Sequence, residues 1–184
     1  LRARMTLGDY YYQRGDDPQA LKIFQEVHAR LPSIPKVNYY MSLLHLRAVD
    51  AKKALEAAEE EIKYNPSSES GYVAAGEAHL ALGDYTKAER TFEKAIGVNT
   101  RAAASLAALA TMKFRQGHLE PARELLIRAI KEDPNDPMLH YHQGKVYKAI
   151  GQTSLAIEEF QVYLKLAPEG KHKTEVDQLI QSLK

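Results

Sequence analysis

At 184 residues, 45 % of them hydrophobic, the chain can bury enough apolar surface to fold, and 25 Lys and Arg against 24 Asp and Glu leave a net charge of +1, too little for a nucleic-acid arm or an acidic tail. The absence of cysteine excludes a disulfide framework, a thiol nucleophile and cysteine-ligated zinc. No apolar run approaches the roughly 20 residues that span a bilayer, and the opening LRARMTLGDYYY lacks the apolar centre of a signal peptide.

Taken from Leu1, the sequence divides without insertion into 1–34, 35–68, 69–102, 103–136 and 137–170, with 171–184 left over. A fixed period of this length marks a stacked repeat array. Each unit is expected to fold as helix, short turn, helix. The first has Gly8 in its first helix, Gly15 at the turn, Asp17 before Pro18 as the N-cap of a second helix with Ala20 and Phe24, and Pro32 as its stop. The second keeps Ser42, Ala54 and Pro66 but has Val49 in the glycine place and Ala58 in the phenylalanine place. The third has Gly76, Gly83, Ala88 and Phe92, with Thr100 where a proline is expected. The fourth has Ala110, Gly117, Ala122, Leu126 and Pro134; the fifth has Gly144, Gly151, Ala156, Phe160 and Pro168, with Thr153 as the N-cap of its second helix.

These columns have a physical logic. A small residue in the first helix facing the alanine of the second lets the two axes approach the short end of the usual 8–10 Å range. The bulky residue four positions after the alanine fills the remaining space. Glycine supplies the positive φ that ends the first helix, and proline stops the second. In the remaining 171–184 segment, Val176, Leu179, Ile180 and Leu183 recur at helical spacing, so an amphipathic helix is expected to cover the open apolar face of the last repeat. At the other end the chain starts inside a first helix, and Tyr10 has no preceding repeat to pack on. Either further sequence precedes Leu1 or that end meets a partner.

Small residue, aromatic, Gly, Ala, Phe and Pro at these spacings, as in GEAHLALGDYTKAERTFEKAI (76–96), resemble the tetratricopeptide repeat over residues 1–170. The resemblance implies an all-α solenoid of stacked antiparallel helix pairs in a right-handed superhelix, forming one domain over 1–184 with a capping helix at 171–184. The family's bulky residue early in the first helix is poorly kept, with Arg4, Asn38, Tyr72, Leu106 and His140 in its place.

Few residues suggest chemistry. His45 and His79 share a column one repeat apart, roughly 10 Å, too far for one zinc ion, and are read as core histidines with satisfied hydrogen bonds. His140 and His142 point to different faces of one helix. Glu59, Glu60 and Glu61 read as a solvated outer face rather than a carboxylate dyad, and Gly71 and Gly76 as packing positions rather than a phosphate loop. With no catalytic motif, no metal set and no cofactor fingerprint, an enzyme is not expected.

The resemblance also implies that the first helices line a concave groove. Met5, Asp9 and Tyr12 would face it from the first repeat, followed by Lys36, Tyr39, Leu43 and Arg47 from the second. Val73 and Glu77 come from the third, Ala107, Thr111, Phe114 and Arg115 from the fourth, and Tyr141, Lys145 and Lys148 from the fifth. For faces that meet water this set is apolar, as interaction surfaces are. Leu46 and Leu80 belong to it too, unless they are buried between adjacent first helices. Its cations outnumber Asp9 and Glu77, which favours an acidic ligand or one with a free carboxylate. The dicarboxylate clamp of chaperone-binding members does not match, because Met5 and Asp9, Tyr39 and Leu43, or Val73 and Glu77 stand where Lys and Asn would be needed.

The expected function is a non-enzymatic scaffold that binds a peptide or helical segment of a partner in the groove, without nucleic acid. The alternatives are self-association through the uncapped N-terminal end, and a targeting module cut from a larger enzyme or from a secretion or assembly complex. The expected setting is soluble: cytoplasmic, or periplasmic where a signal has been removed.

Overall fold

The computed structural model describes residues 1–99 and 102–183, so Thr100 lies outside the described residues. The chain forms two compact units, Leu1–Thr100 and Arg101–Lys184. The first holds α1 (Arg2–Gln13), α2 (Asp17–Arg30), α3 (Val37–Arg47), α4 (Ala51–Tyr64), α5 (Glu69–Ala81) and α6 (Tyr85–Val98). The second holds α7 (Ala103–Arg115), α8 (Leu119–Glu132), α9 (Pro137–Ala149), α10 (Thr153–Leu166) and α11 (Lys173–Ser182). Each repeat contributes one antiparallel pair, and first helices also pack side by side, α3 against α5 and α7 against α9. The architecture is all-α, stacked helix pairs, as the periodicity requires.

Gly15, Gly83, Gly117 and Gly151 all have φ between 76° and 80°, and Val49 holds the equivalent turn at φ 60°. A β-branched residue is strained there, because its Cβ crowds the following carbonyl. The cap of α2 falls one residue earlier than expected: Asp16, not Asp17, accepts the N–H of Gln19 at 3.3 Å. Asp50 and Asp84 do the same for Lys53 and Lys87, each at 3.1 Å. The residue directly after the turn is the one whose backbone lies outside the helix, so the cap follows the turn position and not the proline. Thr153 is likewise the first helical residue, and Gln152 before it makes no side-chain cap.

The small column packs against the bulky column. A Cβ added to Gly8, Gly76 or Gly144 would come within 2.7, 2.4 and 2.5 Å of Phe24, Phe92 and Phe160 respectively. Where the second helix has Ala58 or Leu126 instead, the first helix has room for Ser42 or Ala110, both buried. The Ser42 hydroxyl donates to the Ala54 carbonyl at 2.8 Å, so its polar atom is satisfied in the core.

Two expectations fail inside this frame. Glu61 is no part of a solvated face. It is 1 % exposed, and its carboxylate accepts the backbone N–H of Lys36 at 3.0 Å and of Tyr39 at 3.4 Å. The Asn65 amide donates to it at 3.1 Å and the Ser68 hydroxyl at 3.4 Å. It fills the place of an N-cap for α3, whose own cap residue, Lys36, has no acceptor to offer. His45 and His79 are half-buried, and His79 is no satisfied core group: its Nδ1 is buried without a partner among the described residues.

At the chain's far end α11 lays Val176 and Ile180 into a cluster with Ala156, Phe160, Tyr163 and Tyr141, with Leu179 and Leu183 at its edge. The His172 N–H donates to the Tyr163 hydroxyl at 3.0 Å, fixing the entry into the helix. At the other end Tyr10 is 50 % exposed, with the Arg14 guanidinium donating to its hydroxyl at 2.7 Å.

Candidate functional site

In the first unit, side chains of α1, α3 and α5 from the columns expected to line a groove come together. The Arg47 guanidinium lies 3.9 Å from the centre of the Tyr12 ring and donates to Asp17 at 2.8 Å. Tyr12 stands edge-on to Tyr40 at 5.3 Å, and Tyr39 tilts against Tyr40 at 5.4 Å. Burial pushes the Tyr39 hydroxyl up to about 12, and the neighbouring Tyr12 and Glu77 add to the shift. Burial also raises Tyr12, with Arg47 opposing it. The structure therefore brings Tyr12, Tyr39, Arg47 and Glu77 into one electrostatic neighbourhood. Asp9 joins it through the Tyr40 hydroxyl, to which it is hydrogen-bonded; burial and that bond hold Tyr40 at about 12.

Met5, Leu43 and Val73 are half-buried, as are Leu46 and Leu80, so these leucines keep part of their surface free. Lys36 is exposed at the start of α3 and lines a shallow depression of about 490 Å³ with Glu61, Asn65 and Ser70.

In the second unit a cavity of about 210 Å³ opens between α7 and α9. Ala110, Thr111, Phe114 and Arg115 line it from α7, Leu126 from α8, and His142, Lys145 and Val146 from α9. Four sequence-derived residues are thus brought together: Thr111, Phe114, Arg115 and Lys145. Ala107 lies one turn before, half-buried, and accepts the Thr111 hydroxyl at 2.9 Å; Lys148 is exposed and does not line the cavity.

Tyr141 is a correction. It is 4 % exposed, because the segment leading into α11 covers it: the His172 ring stacks on it at 4.2 Å, and its hydroxyl donates to the two Glu175 oxygens at 2.9 and 3.0 Å. The Lys145 ammonium in turn donates to the Tyr141 hydroxyl at 3.3 Å. The apolar stripe of the tail was visible in the sequence, but Glu175 and His172 flank that stripe and gave no sign that they would close over a groove position.

His142, read from the sequence only as pointing to a different face from His140, lines the cavity. It precedes Lys145 by three residues, which puts both on one helix face, and that spacing is the signal that could have found it. Burial lowers its pKa to about 4, aided by Lys145 and His172, while Asp136 opposes them and Lys171 adds to the lowering. His140, by contrast, is buried, with Nδ1 against Glu159 at 2.7 Å and Nε2 against the Pro134 carbonyl at 2.9 Å. Among the described residues no three His, Asp or Glu are placed to hold a metal ion, and no helix is long and apolar enough to cross a membrane.

Three family models, each described as tetratricopeptide repeat, match residues 2–33 with 139–170, 39–107 and 79–146. The chain belongs to the tetratricopeptide repeat (TPR) family. TPR modules mediate protein–protein interactions, and proteins built from them are generally non-enzymatic scaffolds. Solved structures agree on the fold. TTC0263, a thermophilic TPR protein of Thermus thermophilus, is 21 % identical with a TM-score of 0.87, over 99 % of this chain and 97 % of its own. YrrB, a TPR protein with an unusual peptide-binding site, is 13 % identical with a TM-score of 0.60, over 95 % and 90 %. A chain of the APC/C hetero-tetramer Cut9–Hcn1 is 17 % identical with a TM-score of 0.77, over 98 % of this chain and 35 % of that one.

Proposed function

We propose that residues 1–184 act as one TPR domain, a non-enzymatic scaffold that binds a peptide or helical segment of another protein along the faces of its first helices. The observation that carries this reading is the convergence of Tyr12, Tyr39 and Glu77 from three successive first helices, with Leu43 and Val73 half-buried on the same columns. Tyrosines that bury a ring and keep a polar tip suit a surface that alternates between water and ligand. The peptide-binding site of YrrB supports the reading by showing that this fold can carry one. An acidic ligand fits the second unit, where Arg115, Lys145 and Lys148 stand on the first-helix faces.

Site-specific photo-crosslinking tests it. A photoreactive side chain at Leu43 or Thr111 is expected to label a partner, and one at the exposed Lys52 of α4 is not. Labelling from Lys52 alone would sink the proposal.

A second reading, self-association through α1, is favoured by Leu7 and Tyr10, both exposed on that helix. Light scattering that finds a monomer at every concentration would end it. A dimer that Leu7→Asp dissociates would support it.

A further inference from the structure

We infer that the depression between α4 and α6, floored by α5, binds a phosphate monoester, with the phosphoryl group between His79, Arg90 and Lys94 and the ester's carbon body over Ile62 and Tyr72. The site lies on a different helix face from the residues of the peptide-binding reading and stands without that reading.

α5 packs against both α4 and α6, and the depression between those two encloses about 370 Å³. Tyr72, Ala75 and His79 line it at i, i+3 and i+7 of α5, a face that leaves out Val73, Glu77 and Leu80. Lys87, Arg90, Thr91 and Lys94 line it from one stripe of α6, and Glu59 and Ile62 from α4. Three cations thus share the lining with one carboxylate.

Most of the donors there are spare. Lys87 is held by Asp84 at 3.0 Å, but Arg90 and Lys94 make no ion pair among the described residues. The Tyr72 hydroxyl has no hydrogen-bond partner among them, and the His79 Nδ1 is buried with none. A buried ring nitrogen without a partner is costly, and with its proton on Nδ1 the ring would donate to a ligand oxygen.

Stacking does not require these cations, because the chain builds a similar depression with the opposite sign. One repeat earlier, His45, Lys53, Glu56 and Glu60 line a depression of about 530 Å³, in the columns of His79, Lys87, Arg90 and Lys94. The histidine and the first lysine recur, while two glutamates give way to arginine and lysine. Both copies pack, so packing leaves the sign of the charge free to serve a ligand.

The number of donors selects the ligand class. A carboxylate has one charge and two oxygens, which a single guanidinium satisfies. A phosphate monoester brings a charge of about −1.5 to −2 at neutral pH and three acceptor oxygens, enough to engage Arg90, Lys94 and His79 together. Ile62 and the Tyr72 ring give its carbon body an apolar surface to lie on. A phosphorylated side chain and a free small ester share this chemistry.

The test titrates residues 1–184 with phenyl phosphate, phenyl sulfate, inorganic phosphate and N-acetyl-phosphotyrosine amide at about pH 7.5, followed by NMR. Phenyl phosphate is expected to shift Tyr72, His79, Arg90 and Lys94 and to leave His45 and Glu56 unmoved. Phenyl sulfate, of similar shape with a single charge, should bind about tenfold more weakly, and inorganic phosphate, without the ring, about threefold. Tyr72→Phe and His79→Leu should each weaken phenyl phosphate by about threefold to tenfold, a response that attraction between surface charges alone would not give. Arg90→Glu combined with Lys94→Glu, both at exposed positions, gives this depression the sign of the earlier copy and should abolish binding. Equal binding of phenyl sulfate or of inorganic phosphate, shifts spread over other lysines, binding retained in the double variant, or unchanged affinity in both Tyr72→Phe and His79→Leu would each overturn the inference. Tighter binding of the phosphotyrosine amide than of phenyl phosphate assigns a side-chain source, and equal or weaker binding a free ester. Crosslinking at Leu43 decides the peptide-binding reading separately.

Discussion

The Glu61 carboxylate accepts the backbone N–H of Lys36 at 3.0 Å from a position that is 1 % exposed, so a side chain from α4 satisfies the start of α3. Glu61→Ala leaves the N–H groups of Lys36 and Tyr39 without this acceptor and is expected to cost about 2–3 kcal/mol; Glu61→Gln, which keeps an acceptor oxygen, should cost about 1 kcal/mol. Urea unfolding of the variants reads both. Equal midpoints for Ala and Gln would show that the acceptor role is not what matters.

Gly76 and Phe92 form a size pair, with a Cβ on Gly76 falling 2.4 Å from the ring. Gly76→Ala is expected to destabilise by about 1–3 kcal/mol through overpacking. Phe92→Leu in the same chain should recover much of that loss, since Ala110 with Leu126 already packs this way. A double-mutant cycle gives the coupling, and additive effects would contradict the size argument.

Val49 is 90 % exposed at φ 60°, so its side chain packs on little while its backbone is strained. Val49→Gly relieves the strain, which outweighs the extra unfolded-state entropy that glycine brings, for a net gain of about 1 kcal/mol. Gly83→Val should lose stability at the equivalent turn. Thermal melts of the two variants should move in opposite directions.

His142 makes stability depend on pH. Its pKa is lowered to about 4 in the folded chain from 6.5, so between these values the unfolded state binds the additional proton. Stability from this group is complete above 6.5 and is lost as pH falls toward 4, by at most about 1.4 kcal/mol per pH unit. His142→Gln should flatten that part of the pH profile measured by urea unfolding, and an unchanged slope would remove His142 as its source.

Tyr141→Phe deletes the hydroxyl whose one proton is shared between the two Glu175 oxygens and ties α9 to α11. Amide exchange in α11 is expected to quicken about fivefold to tenfold, the equivalent of about 1 kcal/mol, with the α8 amides unchanged. Uniform quickening across the second unit would mean that α11 opens only with the rest.

The fold was legible because a 34-residue period repeats every constraint, so an error in one copy is outvoted by the others. The glycine turns and the buried alanines of the second helices follow directly from their columns. Glu61, Tyr141 and His142 were misread for the opposite reason: each depends on a partner from outside its own column. Glu61 looks like one of three acidic residues until Lys36, from the other end of the repeat, presents its N–H. Tyr141 looks like a groove residue until His172 stacks on it. The cavity beside Arg115 was half visible, since Thr111, Phe114 and Lys145 follow from the columns, but its depth comes from Leu126 and its electrostatics from His142.

The pairing of Gly8 with Phe24, Ser42 with Ala58, Gly76 with Phe92, Ala110 with Leu126 and Gly144 with Phe160 decides where this chain can be cut and recombined. A splice placed between repeats transfers both members of a pair and preserves the fit. One placed inside a repeat can unite Ser42 with a phenylalanine, or a glycine with Ala58, producing a collision in the first case and a void in the second. The unit of exchange is therefore the helix pair, and the individual helices are not interchangeable.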